Sequence, residues 1–364
     1  MDGILFSVLA VVLFIVILGG LVLIHELGHY LVARLFGVRV LEFGIGFPPR
    51  ARVLRAKGET LWTLNWLPIG GFVRLDSEDG DGGGDPRSFP AKSLPVRLAI
   101  LVAGVAMNVA LAFVIFFTIA WLATPVIGIS IGNVDPASPA ASAGIRPGDA
   151  IFAVEGERFE FFGARYPSDA LRSHAGQTVQ LEVRHADGSV STIAATLRPP
   201  EQLSKTVGAL GVSDLTVVVG NGYVGHNIGR SFEIASGQLT RWGGLIIGGL
   251  GQLVDGFIKD PTAAPPAAGP IGIAVSLAQI FLGSGPVMTL FVAGVLSVNL
   301  GVVNILPFPP LDGGGMLLQT LRRFAGRRFS LQAARVTYAI GALFFLVFVL
   351  WISGFDLARL GSTP

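Results

Sequence analysis

The chain has 364 residues, 51% hydrophobic and only 14% charged, a balance too apolar for a soluble globular protein and typical of a polytopic membrane protein. Its net charge of +2 is spread as small basic groups beside apolar runs rather than as a basic stripe, which excludes nucleic acid as a partner. The lack of cysteine removes disulfides, thiolate ligands and cysteine nucleophiles, leaving His, Asp and Glu to hold any metal.

Four segments are long enough to cross ~30 Å of hydrocarbon, roughly 4–24, 98–122, 287–305 and 336–352. The first is an uncharged run from Gly3 to Ile24. It exceeds the apolar stretch of a signal peptide and no basic segment precedes it, so it is expected to be retained. His25-Glu26-Leu27-Gly28-His29 follows it directly. Two histidines four apart on a helix are separated by about 40° around the axis and ~6 Å along it, so both imidazoles reach one ion. Glu26 is then placed beside them to act on a water at that ion. Two neutral imidazoles and a hard oxygen ligand suit Zn²⁺, whose catalytic sites keep a fourth position open, so a third protein ligand is needed elsewhere.

From Gly37 to Leu75, alternating apolar residues and Gly/Pro punctuation predict strands. Such backbone at membrane depth is tolerable only beside protein or a wet cavity. An extended substrate could add to this sheet's edge, with Gly70, Gly71 and Phe72 as candidate substrate contacts. Gly44, Gly46, Gly70 and Gly71 otherwise read as turn or bulge residues. The acidic, Gly-rich Asp76 to Asp85 stretch lacks the glutamate that closes a calcium loop and reads as a solvated flexible loop. Asn108 and Asn304 are amides inside apolar spans, where an unpaired amide is costly, so each is expected to have a partner. They are candidates to hold substrate backbone or the tetrahedral oxygen, the alternative being helix-packing hydrogen bonds.

Thr178 to Leu197 alternates around Asp187-Gly188, a hairpin signal. Gly208 to Val219 suggests a strand, 230–258 a Gly-rich amphipathic helix and Asp260 to Pro270 a Pro/Ala linker. Trp242 to Ile258 is too short for a span and contains Asp255. His174, His185 and His226 read as ordinary surface or core histidines. After the third span comes Asn304-Ile305-Leu306-Pro307-Phe308-Pro309-Pro310-Leu311-Asp312-Gly313-Gly314. Its prolines stop the helix and its glycines permit a tight turn, so Asp312 can be aimed at a neighbouring helix as the third ligand.

Lys and Arg near the spans set the orientation. Arg34, Arg39, Arg50, Arg52, Arg55, Lys57, Lys92 and Arg97 lie between spans one and two, and Arg322, Arg323, Arg327 and Arg328 between three and four. Both loops are therefore expected in the cytoplasm, with the termini and the large 123–286 segment outside. This puts His25, His29 and Asp312 at the same, inward end of their spans.

On His25-Glu26-Leu27-Gly28-His29, on Leu311-Asp312-Gly313 within the Asn304 to Gly314 stretch, and on the order of spans, the chain resembles the site-2 proteases, zinc-dependent intramembrane metalloproteases, and within them the bacterial sigma-E-protease branch. The resemblance covers nearly the whole chain. It implies His25, His29 and Asp312 as zinc ligands and Glu26 as catalytic base. It further implies a cytoplasmic (inner) membrane enzyme that cleaves single-span proteins such as anti-sigma factors or signal-peptide remnants, usually after another protease has removed their outer domain. Gly37 to Leu75 resembles the family's membrane-associated β-hairpin, and Gly104 to Asn108 its Gly-x-x-x-Asn element, with Val105 where proline is usual. Residues 126–200, through Asp135 to Asp149 and the Ile151 to Val154 strand, resemble one PDZ domain, implying a site for a peptide carboxyl terminus or a size filter.

The expected fold is a polytopic α-helical membrane protein with four transmembrane helices, a membrane-associated β-hairpin or sheet and one inserted extracytoplasmic, mainly β PDZ domain. Its expected parts are 1–36 with the zinc motif, 37–97 the cytoplasmic-side β region and loop, 98–123 the second span, and 124–200 the PDZ domain. They continue with 201–286 after it, 287–332 the third span with the third ligand and a cytoplasmic loop, and 333–364 the fourth span and tail. Two alternatives stand beside this reading. One is an inactive PDZ-bearing membrane scaffold; the other is a membrane metalloprotease of another family, whose third ligand is usually glutamate.

Overall fold

The computed structural model describes residues 3–77, 85–163, 165–204, 207–325 and 331–361. Most of the expected acidic loop and the two arginines at 327 and 328 lie outside them. The chain forms two compact units, Met1–Phe116 with Ala235–Pro364, and the inserted Phe117–Ile234.

Helix α1 (Gly3–Leu35) is ~50 Å long at 1.5 Å per residue, well beyond the hydrocarbon thickness. The expected span ended at residue 24, but Tyr30, Val32 and Ala33 pack inward and carry the helix on. His25 and His29 therefore lie inside a continuous helix rather than at its end. Strands β1 (Val40–Arg55) and β2 (Leu61–Leu75) pair antiparallel. Both are bent, so Phe43 has Trp62 on one side and Val73 on the other, and Gly44 likewise has Thr63 and Phe72. Tyr30 of α1 meets Phe43 at 5.6 Å and Trp62 at 5.4 Å between ring centroids, seating the sheet on the helix. Beneath them Glu42 is buried but satisfied by Arg50 at 2.8 Å, Arg74 at 3.4 Å and the Thr63 hydroxyl at 2.9 Å. Helix α2 (Leu94–Leu122) runs unbroken through Val105.

The inserted unit contains β3 (Thr124–Val134), α3 (Pro139–Ser142), β4 (Ala150–Val154), β5 (Glu157–Glu160), α4 (Pro167–Ser173), β6 (Thr178–Arg184), β7 (Val190–Thr196) and β8 (Val212–Val224). Their order in one sheet is β7-β6-β4-β5-β3-β8, which leaves β8 as an edge. The alternation in Thr178 to Thr196 gives the expected β6–β7 hairpin, with Val179, Leu181 and Val183 on the buried face. They join Ile127, Ile151, Phe159, Leu171 and Leu210 in one core.

Helix α5 (Ile228–Lys259) matches the expected amphipathic segment, and α6 (Pro270–Asn304) follows the linker. The third span was expected to start at residue 287; α6 consists of two helical segments, and the second begins at Pro286, close to that expectation, while the first, from Pro270, was not expected. Gly285 takes φ 79° and ψ −178°, a conformation open to glycine, and kinks the chain there, so Pro286 opens a second helical segment. Asp356 accepts hydrogen bonds from Gly269 N at 3.1 Å and Gly272 N at 2.8 Å, satisfying the first turn of α6. Residues 312–325, expected as loop, form α7 (Asp312–Ala325), with Asp312 in its first turn and Arg322 and Arg323 in its last, as the helix dipole favours. Helix α8 (Leu331–Gly361) completes the chain. Among the described residues four helices, α1, α2, α6 and α8, are long and apolar enough to cross a membrane. The protein is thus a membrane protein, with two β sheets among the described residues.

Candidate metal centre

Glycine sets how closely α1 and α2 approach. A Cβ at Gly28, between the two histidines, would strike the Ala103 carbonyl and come within 2.7 Å of Met107 Cγ. One at Gly104 would lie 2.5 Å from His29 Nε2 and 2.7 Å from His25 Cε1. The backbone of α2 is therefore pressed against both imidazoles. Helix α2 also orients them. His29 Nδ1 lies 2.7 Å from the Ile100 carbonyl oxygen, which accepts only a proton-bearing nitrogen, so Nε2 carries the lone pair. His25 Nδ1 lies 3.2 Å from Asn108 Nδ2. The side-chain oxygen of Asn108 is buried without a partner, and turning the amide over sets that oxygen against the ring, where an Nδ1–H donates to it. The backbone carbonyl of Asn108 accepts from Ser297 Oγ of α6 at 2.7 Å.

Asp312 arrives from the other end of the chain. Its turn is closed by Phe308 N to Leu306 O at 2.7 Å and Leu311 N to Phe308 O at 3.0 Å. Gly313 and Gly314 lie so tightly under the Ile305 and Phe308 backbone that any side chain there would collide. Asp312 Oδ2 lies 3.0 Å from His25 Nε2 and 3.3 Å from His29 Nε2, and the two nitrogens are 3.2 Å apart. Asp312 Oδ2 is buried without a hydrogen-bond donor. With both Nδ1 atoms protonated, three lone pairs face one another with no proton between them, which is unfavourable unless a cation takes them. Tetrahedral zinc with ligands at ~2.0–2.1 Å has ligand–ligand edges of about 3.3 Å, close to all three separations. The donor set fits zinc, and among the described residues it is the one His/Asp/Glu group close enough to hold an ion.

Glu26 projects from α1 toward the sheet, where Val73 N donates to its Oε2 at 3.1 Å. A cavity of about 190 Å³ is lined by Glu26, His29, Asp312, Phe72, Val73, Leu75, Ile100 and Leu101. Phe72 thus borders the candidate centre. A Cβ on Gly71 would be 3.9 Å from Glu26 Cγ, whereas Gly70, at φ 74°, turns the chain against Phe47 and Val22. Asn108 is fully buried behind His25. Asn304 is half-buried at the end of α6, and its side chain makes no hydrogen bond among the described residues, so the partner expected for it is missing there. Sequence reasoning missed the Ile100 carbonyl and the Val73 amide, backbone groups that leave no trace in residue type, and the steric demand at Gly104.

Comparison with known proteins agrees with this geometry. The profile of peptidase family M50 matches residues 13–348. Zinc metalloprotease RasP of Geobacillus kaustophilus is 27% identical over 96% of this chain and 98% of its own. Proteins bearing zinc-metalloprotease names from Agrobacterium fabrum, 29% identical over 94% of both chains, and Mesorhizobium japonicum, 30% identical over 93% and 96%, match similarly. The chain therefore belongs to peptidase family M50, the site-2 protease family, and is a zinc metalloendopeptidase.

Proposed function

We propose that this protein hydrolyses peptide bonds within the transmembrane segments of single-span membrane proteins, with His25, His29 and Asp312 as zinc ligands and Glu26 as general base. The observation that carries this reading is the meeting of Asp312 Oδ2 with both imidazoles beside a helix long and apolar enough to cross the bilayer. Zinc in such a site polarises the scissile carbonyl and lowers the pKa of water toward ~7. Glu26 takes the proton of the attacking water and returns it to the leaving amine. Its bond from Val73 N fixes the carboxylate beside the cavity and shows which edge of β2 faces it. By the alternation of a strand, backbone groups of Gly71 and Leu75 lie on that same edge. An unwound substrate segment can pair there, which satisfies its amides away from water. Because a helix hides its peptide bonds in i to i−4 hydrogen bonds, substrates should carry helix-weak residues near the cut. Asn108 supports His25, and Phe72 borders the substrate path.

In this reading the basic loops face the cytoplasm, while the termini and the inserted unit lie outside an inner membrane. Residues 124–200 act as a PDZ domain, either binding a peptide carboxyl terminus or excluding substrates that retain a bulky outer domain. The open edge of β8 supports peptide addition. The substrates expected are anti-sigma-factor-like proteins or signal-peptide remnants.

The test compares Glu26→Gln with wild type on a single-span substrate in proteoliposomes. Zinc content should be unchanged while cleavage falls about 10²- to 10⁴-fold, the range for loss of a general base. Cleavage at the wild-type rate would remove Glu26 from the chemistry.

A further inference from the structure

Arg97 sits in the first turn of α2, where the helix dipole disfavours a cation. Its Nη1 donates to Gln319 Oε1 of α7 at 2.5 Å, and its Nε is buried without an acceptor among the described residues. Three and four positions after Gln319 come Arg322 and Arg323, a spacing that puts both beside it on one helix face. The charges of both bear on Arg97. None of the three guanidiniums pairs with a carboxylate among the described residues, whereas Arg34, Arg39 and Arg87 all do. The last-turn position of Arg322 and Arg323 accounts for their presence on α7 but not for a third cation gathered against them.

We infer that Arg97, Gln319, Arg322 and Arg323 form a binding site for a phosphate group, supplied by the headgroup of an acidic phospholipid. Guanidinium forks match phosphate oxygens bidentately, and an anion among the three removes their mutual repulsion. The surroundings point to lipid. Leu317, Leu321 and Phe324, spaced as one stripe of α7, are 40%, 42% and 82% exposed, an apolar face suited to the boundary between headgroups and acyl chains. Arg97 lies three residues from the start of a helix long and apolar enough to cross a membrane, where headgroups would be met. The site joins α2, whose Ile100 carbonyl holds His29, to α7, which begins at Asp312. A bound headgroup therefore steadies both sides of the metal centre.

This rests on the chain's place in a membrane and not on the roles proposed for zinc or Glu26, so the test reads binding alone. The full chain is exchanged from detergent with phosphatidylglycerol or phosphatidylcholine, and retained lipid is measured by native mass spectrometry. Wild type should retain phosphatidylglycerol in preference. Arg322→Gln/Arg323→Gln should weaken retention about 30-fold, the effect of removing two charges facing an anionic surface. Arg97→Gln, which keeps the sequence of α7, should weaken it about fivefold. Arg52→Gln/Arg55→Gln removes equal charge from exposed β1 and should retain lipid as wild type does. Equal loss in both double variants, or no preference for phosphatidylglycerol, overturns the site. Displacement of the lipid by inorganic phosphate at about 10 mM overturns the lipid as its source.

Discussion

Two regions of this molecule set an aspartate against histidine, and they differ in protons. In the inserted unit Asp149 accepts from Arg146 N at 2.9 Å and faces His185 Nδ1 at 3.2 Å, while His185 Nε2 meets the Ser191 hydroxyl at 2.8 Å. Every polar atom there can share a proton, so the cluster is complete as protein alone. At the metal centre the Ile100 carbonyl takes the His29 Nδ1 proton and the Asn108 amide lies against His25 Nδ1, while His25 Nε2, His29 Nε2 and Asp312 Oδ2 converge within 3.3 Å of one another. A metal site is marked less by its residue types than by where their second nitrogens are spent.

The comparison breaks most easily at the contacts that orient the imidazoles. Gly104→Ala places a methyl group against both rings, so zinc affinity should fall about 10- to 100-fold with the helices intact, as seen by metal titration and circular dichroism. Asn108→Ala removes the partner of His25 Nδ1 and leaves the ring freer to turn. It should cost about tenfold in the same titration, at the low end of such effects. Asp149→Ala is the counterpart in the inserted unit. It should destabilise that unit by about 1–3 kcal/mol, because Arg146 N and His185 lose their partner, yet leave zinc content unchanged. Zinc loss in Asp149→Ala would erase the distinction between the clusters.

The smallest effect belongs to an exposed ion pair outside both clusters. The bond from the Arg87 guanidinium holds the Glu59 carboxyl at about 2, below its ordinary 4.5. A lowered carboxyl contributes stability above pH 4.5 that fades as pH falls toward about 2. Glu59 is solvent-exposed, so Glu59→Gln should not measurably shift the neutral-pH melting temperature; any difference from wild type should shrink further in acid.

The halves of the candidate site were legible to different degrees. His25, Glu26 and His29 stand out because charge-bearing residues interrupt an apolar run, and Asp312 because prolines and glycines surround it. Gly104, Ile100 and Val73 act through backbone or through an absent side chain, and only packing reveals them. In the fold, period-two alternation announced the β6–β7 hairpin. Gly285 and Pro286 mark a real kink between the two segments of α6, so the sequence placed the second segment while the first, from Pro270, was hidden behind the Pro/Ala linker. Helix α7 was hidden behind its cluster of glycines, and docking against neighbours overrides their low helix propensity.

The most direct test is zinc content per chain, by elemental analysis of purified wild type and Asp312→Ala. Close to one zinc in wild type, and near none in a variant whose helices remain folded, is the predicted result. Equal zinc in both would show that the carboxylate between the imidazoles is not a ligand.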